Sequence, residues 1–224
     1  MNKLKLALVS AVVASVLSPA VMAHQQGDFI IRAGATNVNP NDDSGKVSVD
    51  GLGTTGMEVG VDDNTQLGLN FLYMLTDNWG VELLASTPFK HDIHLQQSEL
   101  GLGDGMLADT KQLPPTLSAM YFFDTGTKFH PYVAAGINYT FFFEDNFVDS
   151  RNAQGFNSLS LDNSLSWAVQ AGFDYMLDDN WMFNMSYRYI DIETDASFKV
   201  GEAAASVDVD VDPGILTIAL GYKF

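Results

Sequence analysis

Residues able to do chemistry are few here, and their types exclude more than they offer. The chain has no Cys, so thiolate catalysis, thiolate metal sites and disulfide frameworks drop out. His91 and His94 form a His-x-x-His pair, with His130 far along the chain. Two imidazoles without a third ligand do not make a metal centre, so no metal or cofactor is expected. Ser98 and Glu99 follow the pair and could supply a nucleophile and an acid. No His/Ser pairing falls at the end of an element, and no catalytic residue is assigned. The run Val207-Asp208-Val209-Asp210-Val211-Asp212 alternates, which places three carboxylates on one strand face. With Asp62, Asp63, Asp145 and Asp149 they would form an acidic rim, either a solvated repulsive edge or a bridge for divalent cations. The net charge of −17 argues against nucleic acid as a partner. What remains is a set of isolated charges within apolar stretches: Arg32, Glu82, Asp174, Arg188 and Lys223.

Those stretches have a period of two. Large apolar side chains stand at 216, 218, 220, 222 and 224, separated by Thr217, Ala219, Gly221 and Lys223. Seven further segments alternate in the same way: residues 29–37, 65–75, 79–87, 116–123, 131–143, 165–175 and 181–191. Each is close to the roughly 9–11 residues that a tilted strand needs to cross a bilayer. Connections alternate between short, such as residues 76–78 and 178–180, and long, at about residues 38–64, 88–115, 144–164 and 192–214. Tyr73-Met74-Leu75-Thr76-Asp77-Asn78-Trp79 recurs as Tyr175-Met176-Leu177-Asp178-Asp179-Asn180-Trp181, so both copies belong at one interface. The pattern predicts an all-β fold, an eight-stranded antiparallel transmembrane β-barrel with short periplasmic turns and long extracellular loops. A soluble barrel would reverse the faces.

Targeting agrees. Lys3 and Lys5 precede an apolar run from Leu6 to Leu17, then Pro19 and Val21-Met22-Ala23. Residues 1–23 are therefore expected to be a cleaved signal peptide, with residues 24–224 as the barrel domain beginning at His24. No run is long enough for a membrane-spanning helix. The expected location is the bacterial outer membrane, among lipid and lipopolysaccharide.

Several blocks also resemble the outer membrane protein W (OmpW) family: Asn64-Thr65-Gln66-Leu67-Gly68-Leu69, Gly80-Val81-Glu82-Leu83-Leu84-Ala85, Thr87-Pro88-Phe89, Leu113-Pro114-Pro115-Thr116-Leu117, Pro131-Tyr132-Val133, Ala135-Gly136-Ile137-Asn138-Tyr139-Thr140, Asn184-Met185-Ser186 and Gly221-Tyr222-Lys223-Phe224. The resemblance covers essentially the whole mature chain. It implies an eight-stranded barrel with a narrow apolar channel for small hydrophobic molecules. It also implies insertion by barrel-assembly machinery that recognises Phe224, and receptor roles for bacteriocins.

If the apolar faces meet lipid, the isolated charges point inward, where charge is tolerated. By rise along the strands, Arg32, Glu82, Asp174 and Lys223 form a charge plug in the periplasmic half. Above it, Leu84, Ser86, Thr116, Met120, Asn138, Thr140 and Arg188 are the expected lining of a pocket open to the outside, or they simply fill the bore. The expected function is binding or conducting small hydrophobic molecules, with lateral exit into the bilayer. The alternatives are a structural, adhesive or bacteriocin-receptor barrel acting through its loops and, in another class, a lipid A-modifying enzyme using His91 or His94 with Ser98 and Glu99.

Overall fold

A computed structural model describes residues 24–41, 43–44, 48–49, 53–54, 58–96 and 104–224. The expected signal peptide, Ser98 and Glu99 lie outside the described residues. Eight strands form the barrel: β1 Phe29–Asn39, β2 Asn64–Met74, β3 Trp79–Ser86, β4 Thr116–Phe122, β5 Phe129–Phe147, β6 Ser164–Met176, β7 Trp181–Ile190 and β8 Gly214–Lys223. Each pairs antiparallel with its neighbours in sequence, and β1 closes on β8 from Ile30–Lys223 through Asn39–Gly214. Closure gives every strand two partners, so no edge is left to bare its backbone to lipid.

The alternation seen in the sequence is the alternation of faces. Leu67, Ile137, Val133, Leu165, Ile218 and Leu220 are exposed in a band around the outside. Aromatic rings border the band. Trp79 packs on Tyr121 and Trp181 on Tyr222 at one rim, while Trp167 meets Tyr189 and Tyr139 meets Phe141 towards the other. The repeated segment builds two matching turns. Thr76 Oγ1 accepts from the Trp79 N–H at 2.9 Å, and Asp178 Oδ1 accepts from the Trp181 N–H at 2.7 Å. Each turn's Asn then donates to the end of the next strand, Asn78 to Phe122 O and Asn180 to Lys223 O.

The long connections depart from expectation. They are largely strand, built above the barrel as two sheets. One joins Glu58–Val61, Phe89–Gln96 and Gly105–Leu113 to the upper part of β5. The other joins Phe156–Leu161, Glu193–Val200 and Ala203–Asp210 with the short strands Asp43–Ser44, Ser48–Val49 and Gly53–Thr54. This is why β5 runs to Phe147 rather than Phe143: its upper residues pair with the Gly105–Leu113 strand. A bulge interrupts that pairing between Phe143 and Asn146, and Glu144 inside it takes a φ of 56°. The sheets bury Val59, Leu95, Ala108, Phe147, Phe156 and Phe198 in one apolar cluster.

The barrel seam depends on a residue without a side chain. A Cβ at Gly34 on β1 would collide with Ile218 O and Ala219 Cα of β8. Gly34→Val is expected to remove most of the folded, heat-modifiable band in gel electrophoresis after refolding. Ala35→Val, one residue along on the exposed face, is expected to leave it intact.

Candidate functional site

Three of the four plug residues meet in the bore, and the fourth does not. Arg32 donates through Nη1 to Glu82 Oε2 at 2.9 Å and through Nη2 to Asp174 Oδ2 at 2.6 Å. Arg188, expected among the lining residues, belongs to this network: its Nη2 donates to Glu82 Oε1 at 2.6 Å. Arg188 is anchored opposite Ile215, higher in the barrel, and its long side chain carries the charge inward to Glu82. Lys223 is instead at the periplasmic rim, 3.8 Å from Asp28, because β8 ends there. The four groups Arg32, Arg188, Glu82 and Asp174 balance in charge and are almost wholly buried. Neutral polar groups surround them. Asn70 donates to Glu82, Asn184 to Asp174, and Gln170 accepts from Arg188. Arg32 also lies over the Tyr132 ring, 5.4 Å from its centroid. Asn70, Gln170, Asn184 and Tyr132 share the inward parity of the charges, which is the signal that would have found them.

Below the network, Ile30, Leu72, Met74, Phe122, Met176 and Met182 form an apolar floor. Met120 is part of that floor, on the periplasmic side of Glu82 rather than above it. Thr116, Asn138 and Thr140 lie above and fill space by bonding one another. Asn138 donates to Thr116 Oγ1 at 3.0 Å, and Thr140 donates to Asn138 Oδ1 at 2.7 Å. Leu84 is buried beside Asn70 and Thr116, and Ser86 is half-buried at the end of β3.

A cavity of about 70 Å³ lies higher still, between the two extracellular sheets, and none of the seven expected lining residues borders it. Its wall is almost entirely apolar, including Val59, Ile93, Ala196, Phe198, Val207 and Val209. Val207, Val209 and Val211 are thus the face of the alternating run that matters here. Asp208 and Asp210 face solvent, while Asp212 turns away with a φ of 34° and accepts from Tyr189 Oη. The His-x-x-His pair diverges. His91 is buried, its Nδ1–H donating to Asp62 O and its Nε2 accepting from Gln112 Nε2, both at 2.8 Å. His94 reaches outward to Asp62 Oδ2 at 3.1 Å.

Beneath the cavity two ladders are interrupted. The β2–β3 pairing runs out past Gly68–Ser86 with a last bond from the Thr87 N–H to Leu67 O, and pairing resumes at the Asp62 N–H to Asp92 O bond and Val61–Ile93. The β3–β4 pairing ends at Leu84–Thr116 and resumes as Phe89–Gln112. Pro88, Pro114 and Pro115 fall in the second interval and have no N–H to give.

Two consequences can be measured. Glu82→Leu strips both arginines of a shared partner, and breaking a buried pair costs about 3–5 kcal/mol; urea unfolding in lipid vesicles should register that loss, with Glu82→Gln milder. Burial lowers the His91 imidazole below its ordinary value. A base with a lowered folded-state pKa favours the fold when neutral, so its contribution is complete above about pH 6.5 and fades as pH falls through the lowered value. Once corrected for the intrinsic pH dependence of amide exchange, protection of the Phe89–Gln96 strand should therefore fall on acidification, and less so in His91→Gln.

The OmpW family profile matches residues 25–224. Outer membrane protein W of Vibrio cholerae is 48% identical over 96% of this chain and 96% of its own length. The crystal structure of the outer membrane protein OprG from Pseudomonas aeruginosa superposes with a TM-score of 0.85 at 47% identity, covering 91% of this chain and 98% of that one. A dibenzothiophene metabolism operon protein, PahQ, also of Pseudomonas aeruginosa, is 28% identical over 89% of this chain and 90% of its own. The first two are outer membrane proteins by name. A closed eight-stranded barrel with a lipid-facing apolar band, matched by the family profile over nearly its whole described length, is an outer-membrane protein, and the chain belongs to the OmpW family.

Proposed function

We propose that this protein takes small hydrophobic molecules from outside the cell into the outer membrane, binding them between the extracellular sheets and releasing them sideways. One observation carries this: an apolar cavity stands over a bore that a buried, charge-balanced ion network fills. An apolar solute entering that network would have to separate charges with no water to receive them. The break in the β3–β4 ladder at Pro88, Pro114 and Pro115 offers a route out through the wall, just below Gln112 and His91 of the cavity. PahQ adds support, since its name ties a relative to dibenzothiophene, an apolar fused aromatic. The leader at residues 1–23 would direct export, and the exposed Phe224 would present the chain end to the barrel-assembly machinery. Lipopolysaccharide would surround the extracellular sheets.

Uptake of naphthalene and of a polar solute of similar size into proteoliposomes tests the route. Ala196→Phe fills the cavity and should slow naphthalene uptake several-fold, whereas Leu84→Arg, in the bore, should change it little. Inhibition by Leu84→Arg alone would replace the lateral route with an axial one. Negligible uptake by all forms would overturn the proposal and leave adhesion or reception through the extracellular sheets.

A further inference from the structure

His24 and His130 lie close together at the periplasmic end of the bore, with ring centroids 6.0 Å apart and ring planes inclined at 58°. Both are more than nine-tenths buried. His24 Nε2 lies 3.0 Å from Asp174 Oδ2, and a carboxylate only accepts, so Nε2 carries a hydrogen and, in the neutral ring, Nδ1 has the lone pair. That Nδ1 is buried with no hydrogen-bond partner. His130 bonds the backbone of Thr127. Its Nε2 is buried without a hydrogen-bond partner, so the Thr127 contact uses Nδ1 and leaves the Nε2 lone pair unengaged. Each ring is thus held at one nitrogen by a carboxylate or a carbonyl and has the other buried without a partner, the arrangement that orients metal-ligating histidines.

Among the described residues, no three His, Cys, Asp or Glu side chains gather as a metal site. The third donor would come from the backbone. If the leader is cut after Ala23, His24 becomes the first residue, and its α-amine and Nδ1 can chelate one metal in a six-membered ring. We propose that the mature chain binds a divalent late transition metal, Cu(II) foremost, through the His24 α-amine, His24 Nδ1 and His130 Nε2. An all-nitrogen set suits Cu(II), which also heads the affinity order of the divalent first-row metals. A metal held at about 2 Å by one nitrogen of each ring sets the centroids roughly 5–6 Å apart, in keeping with the spacing observed. The amine binds deprotonated, so one proton is released on binding near neutral pH. The metal would pin the chain start to β5 across the mouth of the bore.

The test uses full-length protein exported with its own leader and purified from outer membranes. Intact mass should show a chain starting at His24, and Cu(II) titration against a competing chelator should show one tight site per chain. His130→Phe should weaken that site roughly 100-fold. So should four small residues placed ahead of His24 after cleavage, a variant that keeps every side chain and removes only the terminal amine. Heat-modifiable migration checks that both variants fold. A mature chain starting elsewhere, or Cu(II) affinity unchanged in both folded variants, would overturn the proposal.

Discussion

Hydrocarbon offers the backbone no hydrogen-bond partner, and the rest of this structure follows from that constraint. Every N–H and C=O at membrane depth must find its partner in a neighbouring strand, so β1 has to meet β8. With eight strands the enclosed space is barely wider than the side chains inside it. A charge placed there cannot rely on water and must be answered by another side chain. Arg32, Arg188, Glu82 and Asp174 do this as a set, and Asn70, Gln170 and Asn184 add neutral hydrogen bonds to the charged groups. Their value is specificity as much as stability, since strands slipped by one residue would turn these charges to the lipid.

The lipid face was legible because lipid imposes one rule everywhere. Every second residue must be apolar, whatever its neighbours, and so Leu67, Val133, Trp167 and Leu220 declare their side by parity alone. The lumen follows no such uniform rule. Parity says that Arg188 and Lys223 point inward but not how far a flexible side chain reaches. Arg188 travels towards Glu82, and Lys223 ends beside Asp28. Met120 sits on the periplasmic side of the network for a related reason: strand tilt and stagger decide height, and neither is written in a single strand.

The extracellular sheets were less legible still. Their segments are short, and no one of them carries enough apolar residues to form a core by itself. Val59 comes from the β1–β2 connection and Ala196, Phe198 and Val207 from the β7–β8 connection, and only the packing of one sheet on the other brings them together. The carboxylates of the alternating run drew notice because they are charged; the valines between them wall the cavity. The chemically loud residue and the structurally decisive one stood side by side.

β5 is continuous from the periplasmic rim through the bulge at Glu144 to Phe147, so one strand of 19 residues serves both the membrane band and the upper sheet. Because β5 is a single backbone, the wall of the bore and part of the wall of the cavity, at Phe142 and Phe147, belong to the same strand. The upper sheet is therefore registered to the barrel by covalent continuity as well as by packing, and the cavity stands at a height above the lipid that the length of one strand sets.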